Sequence, residues 1–85
     1  MNSLTTWIRV EVEEGMFSNE YAVNIKLFNG TVVSTFIDKY MIEDRGGVSY
    51  LKVTLVDKDT ALGKMRVLLP KETFETSSPW IDVRC

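Results

Sequence analysis

Residues 21–38 read YAVNIKLFNGTVVSTFID, and the register in which this stretch folds back on itself decides the architecture. Tyr21, Val23, Ile25 and Leu27 alternate with Ala22, Asn24 and Lys26, the period-two pattern of a half-buried strand. Asn29-Gly30 follows directly, and this dipeptide suits a type I′ turn, in which both central residues take positive φ. A two-residue loop there places Leu27 opposite Val32, Ile25 opposite Ser34, Val23 opposite Phe36 and Tyr21 opposite Asp38. Phe28, Val33, Ile37 and Met41, with Ala22, then share the other face. Side chains alternate across a strand, so a slip of one residue would exchange the two sets.

Outward from this hairpin the same period continues. Upstream, Ile8, Val10 and Val12 alternate with Arg9, Glu11 and Glu13, with Trp7 on the polar face, and Gly15 and Ser18-Asn19 form the turn that follows. Downstream, the third strand runs from Thr31 to about Glu43 and is apolar on both faces. That length predicts a bend near Asp38-Lys39, as in strands that serve two sheets of a barrel. Asp44-Arg45-Gly46-Gly47 is read as a four-residue loop, which sets Tyr40, Asp38 and Phe36 against Leu51, Val53 and Leu55. Met65, Val67 and Leu69 make a further strand stopped by Pro70, and Trp80 to Arg84 a last short one. Lys71 to Thr76 is expected to form a single helical turn, with Phe74 anchored in the core.

The expected fold is therefore all-β. Residues 1–85 form one antiparallel meander of five to six strands, closed into a partly open barrel in the size range of SH3-like and OB-type folds. At 85 residues the core is thin, because a domain this small removes only about 60% of its unfolded surface from water. Hydrophobic residues make up 45% and charged residues 26%, a composition that folds.

Composition also excludes function classes. With no histidine, the chain has no Ser-His or Cys-His nucleophile and lacks the usual general base near neutral pH. The single cysteine, Cys85, cannot form an internal disulfide, has no predictable activating partner and does not supply a zinc site. Asp57 and Asp59 open like a calcium loop but lack its later ligands and its central glycine, and are read as turn residues. No phosphate-binding glycine motif occurs. Catalytic, cofactor and metal residues are thus expected to be absent. No apolar run approaches the roughly 18 residues that span a bilayer, and Met1 to Glu14 does not read as a signal peptide, which leads to a cytoplasmic expectation.

Three binding surfaces are suggested by the residues. The first is the stripe Phe28, Val33, Ile37 and Met41, with Trp7 and Trp80 as rim anchors, which either the chain itself or a second molecule must cover. The second is a pocket around Asp38, Tyr21 and Tyr40, where an inward carboxylate would need a tyrosine hydroxyl as donor; a bulge that turns Asp38 outward is the alternative. The third is a stacking surface for single-stranded nucleic acid made by Tyr50, Lys52, Lys64 and Arg66. A net charge of −2 argues against that last reading. The expectation that follows is a non-enzymatic module that self-associates or docks on a partner protein, with Glu11, Glu13 and Glu14 setting partner choice. A nucleic-acid barrel and a small-molecule barrel are the alternatives.

Overall fold

Alternation along the first strand is what the tertiary structure uses first: Ile8 and Val10 point into the core, while Arg9 and Glu11 point to solvent. A computed structural model describes residues 4–75 and 78–85 of the chain. Its elements are β1 (Leu4–Glu14), β2 (Glu20–Lys26), β3 (Val32–Asp38), a 3-10 turn (Lys39–Met41), β4 (Ile42–Arg45), β5 (Val48–Asp59), β6 (Lys64–Leu68) and β7 (Trp80–Arg84). Among the described residues these are seven antiparallel strands in the order β3-β2-β1-β5-β6-β7, with β4 added to β5. The sheet curls into a half-barrel, so the all-β, partly open barrel expected from the sequence is the fold. The seventh strand arises because the long third strand breaks.

That break falls where a bend was expected. The 3-10 turn at Lys39–Met41 ends β3, which pairs with β2, and the chain re-emerges as β4, which pairs with β5. β1 makes the matching switch on the other side. Leu4 to Val10 pair with β5, and Glu11 to Glu14 pair with β2. Both inner faces therefore enclose one core, led by the fully buried Val23, Ile25, Val33, Ile37, Leu51 and Val67.

Both hairpin registers depart from the sequence reading, for identifiable reasons. No residue other than glycine has positive φ among the described residues, so Asn29 cannot sit in a type I′ turn. Instead Gly30 alone is left-handed, at φ +90°. Its N–H donates to the Leu27 carbonyl at 2.9 Å, and the Leu27 N–H donates to the Thr31 carbonyl at 2.7 Å. This is a three-residue loop with a glycine bulge, and the Asn29 side chain caps it by accepting from the Thr31 N–H at 3.0 Å. The extra loop residue slips the register by one: Ile25 now faces Val33, Val23 faces Thr35 and Tyr21 faces Ile37. The second hairpin is tighter than expected. Gly46 and Gly47, at φ +62° and +88°, form a two-residue turn, and Ile42 rather than Tyr40 opposes Leu51.

The segment after Pro70 is not a helical turn over its described part, and Thr76 lies outside the described residues. It runs along the outer edge of β3. The Phe74 N–H donates to the Ser34 carbonyl at 2.9 Å, Glu75 accepts from the Ser34 N–H at 2.8 Å, and Thr35 Oγ1 donates to the Glu72 carbonyl at 2.9 Å. Phe74 is exposed and packs edge-on against Phe36, with centroids 5.3 Å apart, while Thr73 is the buried residue. The two apolar faces of β3 are explained together: Val33 and Ile37 enter the core, and Phe36 is covered from outside by Phe74.

Candidate binding groove

The β1–β2 ladder runs from Glu14↔Tyr21 to Glu11↔Asn24 and stops there. One more step of two residues in the same register would set Arg9 directly opposite Lys26. Like charges opposed across a ladder repel, and the strands part at this point. A groove of about 470 Å³ opens where they part. Its floor is apolar: Val10 and Val83 are buried core residues, Leu27 is packed on the core, and Val32 stands exposed at the edge. Its rim carries Arg9, Lys26 and Arg84, with Glu11 and Asn24 beside them. Among the described residues none of these three cations is in an ion pair. Phe28 follows the groove residue Leu27 in the β2–β3 loop. Its N–H donates to the Asp82 carbonyl at 2.8 Å, which ties the β2–β3 loop to β7, and its ring lies under Arg84 (5.2 Å) and Lys64 (5.8 Å).

A second, smaller cavity of about 330 Å³ lies beside Val53, between the stretch of β5 paired to β4 and the stretch paired to β6. Lys52 is its one charged lining residue, and Tyr40, Met41, Val53, Leu68, Leu69 and Pro70 also line it.

The surfaces expected from the sequence are rearranged. Val33 and Ile37 are each only 1% exposed, so the stripe with Phe28 and Met41 is covered by the chain itself and is not a docking face. The one-residue slip of β3 is the cause. Met41 packs on the core, and Phe28 is half-buried under its two cations. Trp7 lies on the outer face of β1, beneath the Arg45 guanidinium (5.3 Å), which also covers Tyr50 (5.0 Å). Trp80 is exposed on β7, opposite Leu68.

The pocket of Asp38, Tyr21 and Tyr40 is not assembled. Asp38 shares the outward parity of Ser34 and Phe36, opposite Glu20, and Tyr40 is exposed on the 3-10 turn. Tyr21 packs on the core with the Lys39 ammonium 4.7 Å from its ring centre. The nucleic-acid set is split as well. Tyr50 and Lys52 lie on β5, whereas Lys64 and Arg66 on β6 both engage Asp82, Arg66 through two hydrogen bonds of 2.9 and 3.2 Å. That contact raises the Arg66 pKa and, chiefly through the same hydrogen bonds, holds the Asp82 carboxyl below its ordinary value. The Glu43–Arg45 pair acts in the same two directions, again first through its hydrogen bond at 3.0 Å.

Sequence reasoning missed the groove because no local pattern joins its parts. Arg9, Lys26 and Arg84 come from three strands, and only the repulsive Arg9–Lys26 pairing could have been foreseen from a correct β1–β2 register. Among the described residues no cluster of three or more histidine, cysteine, aspartate or glutamate side chains is placed to hold a metal ion, and no helix is long and apolar enough to cross a membrane. Compared with known proteins, the chain matches no family model, no curated protein and no solved structure.

Proposed function

We propose that this chain is a non-enzymatic binding module whose groove between β1 and β2 takes a carboxylate-bearing segment of a partner protein. The observation that supports it is the pairing of three cations that have no ion-pair partner among the described residues (Arg9, Lys26, Arg84) with an apolar floor of Val10, Leu27 and Val83. Carboxylates would meet guanidinium and ammonium groups at the rim while an apolar side chain fills the floor, the usual division between polar rim and apolar centre of an interface. Nucleic acid fits this groove less well. Glu11 sits on its rim, the floor is aliphatic, and the net charge of −2 opposes approach of a phosphate backbone.

Chemical-shift mapping with an acidic peptide containing one aromatic residue, beside a single-stranded oligonucleotide, tests the reading. The peptide should shift Val10, Leu27 and Val83, and the double substitution Lys26→Glu with Arg84→Glu should weaken it by more than about tenfold, the scale of one strong charged contact. No peptide-induced shift in the groove, or an oligonucleotide that binds along Trp7 and Tyr50 instead, would refute it.

A further inference from the structure

Of the acidic run read from the sequence, Glu11 lies on the groove rim, while Glu13 and Glu14 lie at the other end of the β1–β2 ribbon. Residues 15–19 connect the two strands, and at this tip Met16 and Phe17 are 77% and 65% exposed. Glu13 and Glu14 end β1 and Glu20 begins β2 on either side of this loop. The tip is held in place rather than loose. The Gly15 N–H donates to the Glu20 carbonyl at 3.3 Å, the Glu20 N–H to the Phe17 carbonyl at 3.2 Å, and the Lys39 N–H to the Asn19 carbonyl at 2.9 Å. The Lys39 ammonium adds an ion pair to Glu14 at 3.0 Å. An ordered tip gives up little conformational freedom on binding.

We propose that the groove's partner is this tip on a second copy of the chain, so that the protein assembles head to tail. The inference rests on the groove reading above and supplies its ligand. Glu13 and Glu20, which stand outside the Glu14–Lys39 ion pair, are opposite in sign to Arg9, Lys26 and Arg84, and Met16 and Phe17 match the apolar floor. The tip cannot reach its own groove. Glu14 and Arg9 are separated along one extended strand by about 17 Å at some 3.4 Å per residue, and the loop points onward from there. Repeated head to tail, a contact between two different patches is heterologous and propagates into rings or open chains.

Sedimentation velocity with charge-reversed variants decides the matter. Wild-type protein should associate in a concentration-dependent way at low salt and dissociate at about 0.5 M salt, where screening lengths fall to a few ångströms. A groove variant (Lys26→Glu with Arg84→Glu) and a tip variant (Glu13→Lys with Glu20→Lys) should each be folded by circular dichroism and monomeric. Mixed in equal amounts they should assemble again, because each reversed patch then meets its complement. Should either double variant fail to fold, Phe17→Ser alone, at an exposed loop position, must weaken association. Wild-type protein that stays monomeric, variants that assemble unaided, or a mixture that stays monomeric would each overturn the proposal. The peptide Glu13–Phe17 separates the two readings. If it shifts Val10, Leu27 and Val83 while the protein stays monomeric, the groove reading stands and self-assembly fails; if it shifts nothing, both fail.

Discussion

Asp82 shows how a single side chain sorts the surface cations. It accepts two hydrogen bonds from Arg66 and lies 3.7 Å from the Lys64 ammonium, so these two bases are engaged, whereas Arg9, Lys26 and Arg84 are in no ion pair among the described residues. A bidentate arginine favours the charged carboxylate, and the pKa of Asp82 is lowered in the folded state. The sign follows from linkage. A depressed folded pKa contributes stability that is fully present above the unfolded value near 3.9, and that is lost as pH falls through the folded value. Urea midpoints measured from neutral pH down to about pH 2 should therefore fall less steeply below pH 4 for Asp82→Asn than for wild type. The difference will be small, since Arg66 is more than half exposed and water screens the pair. Equal slopes would mean that the pair carries no linkage.

At the scale of elements, turns set the registers and charges end the ladders. The β4–β5 hairpin needs two consecutive left-handed residues, and only Gly46-Gly47 supplies them without a Cβ clash. Gly47→Ala should cost about 1–2 kcal/mol in a denaturant titration, the penalty for an L-residue held left-handed, with an unchanged m-value. An unchanged midpoint would show that the turn relaxes at no cost. The β2–β3 hairpin departs by one residue from the type I′ register because Asn-Gly serves two turn families, and only backbone φ at Asn29 separates them. β2 alone could not correct this. Its alternation puts Val23 and Ile25 in the core, but β3 offers Val32 with Phe36 at one parity and Val33 with Ile37 at the other, so either register satisfies a local count of apolar residues.

For the whole molecule, the decisive feature is one core shared by both halves of the curled sheet. Ile37 from β3 and Val67 from β6 belong to the same buried cluster, and β1 runs through both halves. Ile37→Ala should therefore destabilise everything at once, by about 2–5 kcal/mol as expected for a fully buried isoleucine. Trp7 and Trp80 both lie in the half that does not contain Ile37, so their fluorescence is the informative probe. It should shift together with the far-ultraviolet circular dichroism midpoint. Fluorescence that holds its wild-type midpoint while circular dichroism moves would show two cores instead of one.

Period-two alternation, the turn dipeptides and the length of the third strand were enough to specify an antiparallel barrel with a bend near Lys39, because those are properties of neighbouring residues. The face that Val33 and Ile37 occupy was decided by tertiary structure. A strand apolar on both sides takes its orientation from what covers each side, and Phe74, far along the chain, covers Phe36. The groove belongs to the same category. Arg9, Lys26 and Arg84 line one groove only when β1 parts from β2 and the β2–β3 loop is hydrogen-bonded to β7, and no local pattern records contacts between strands so distant in sequence.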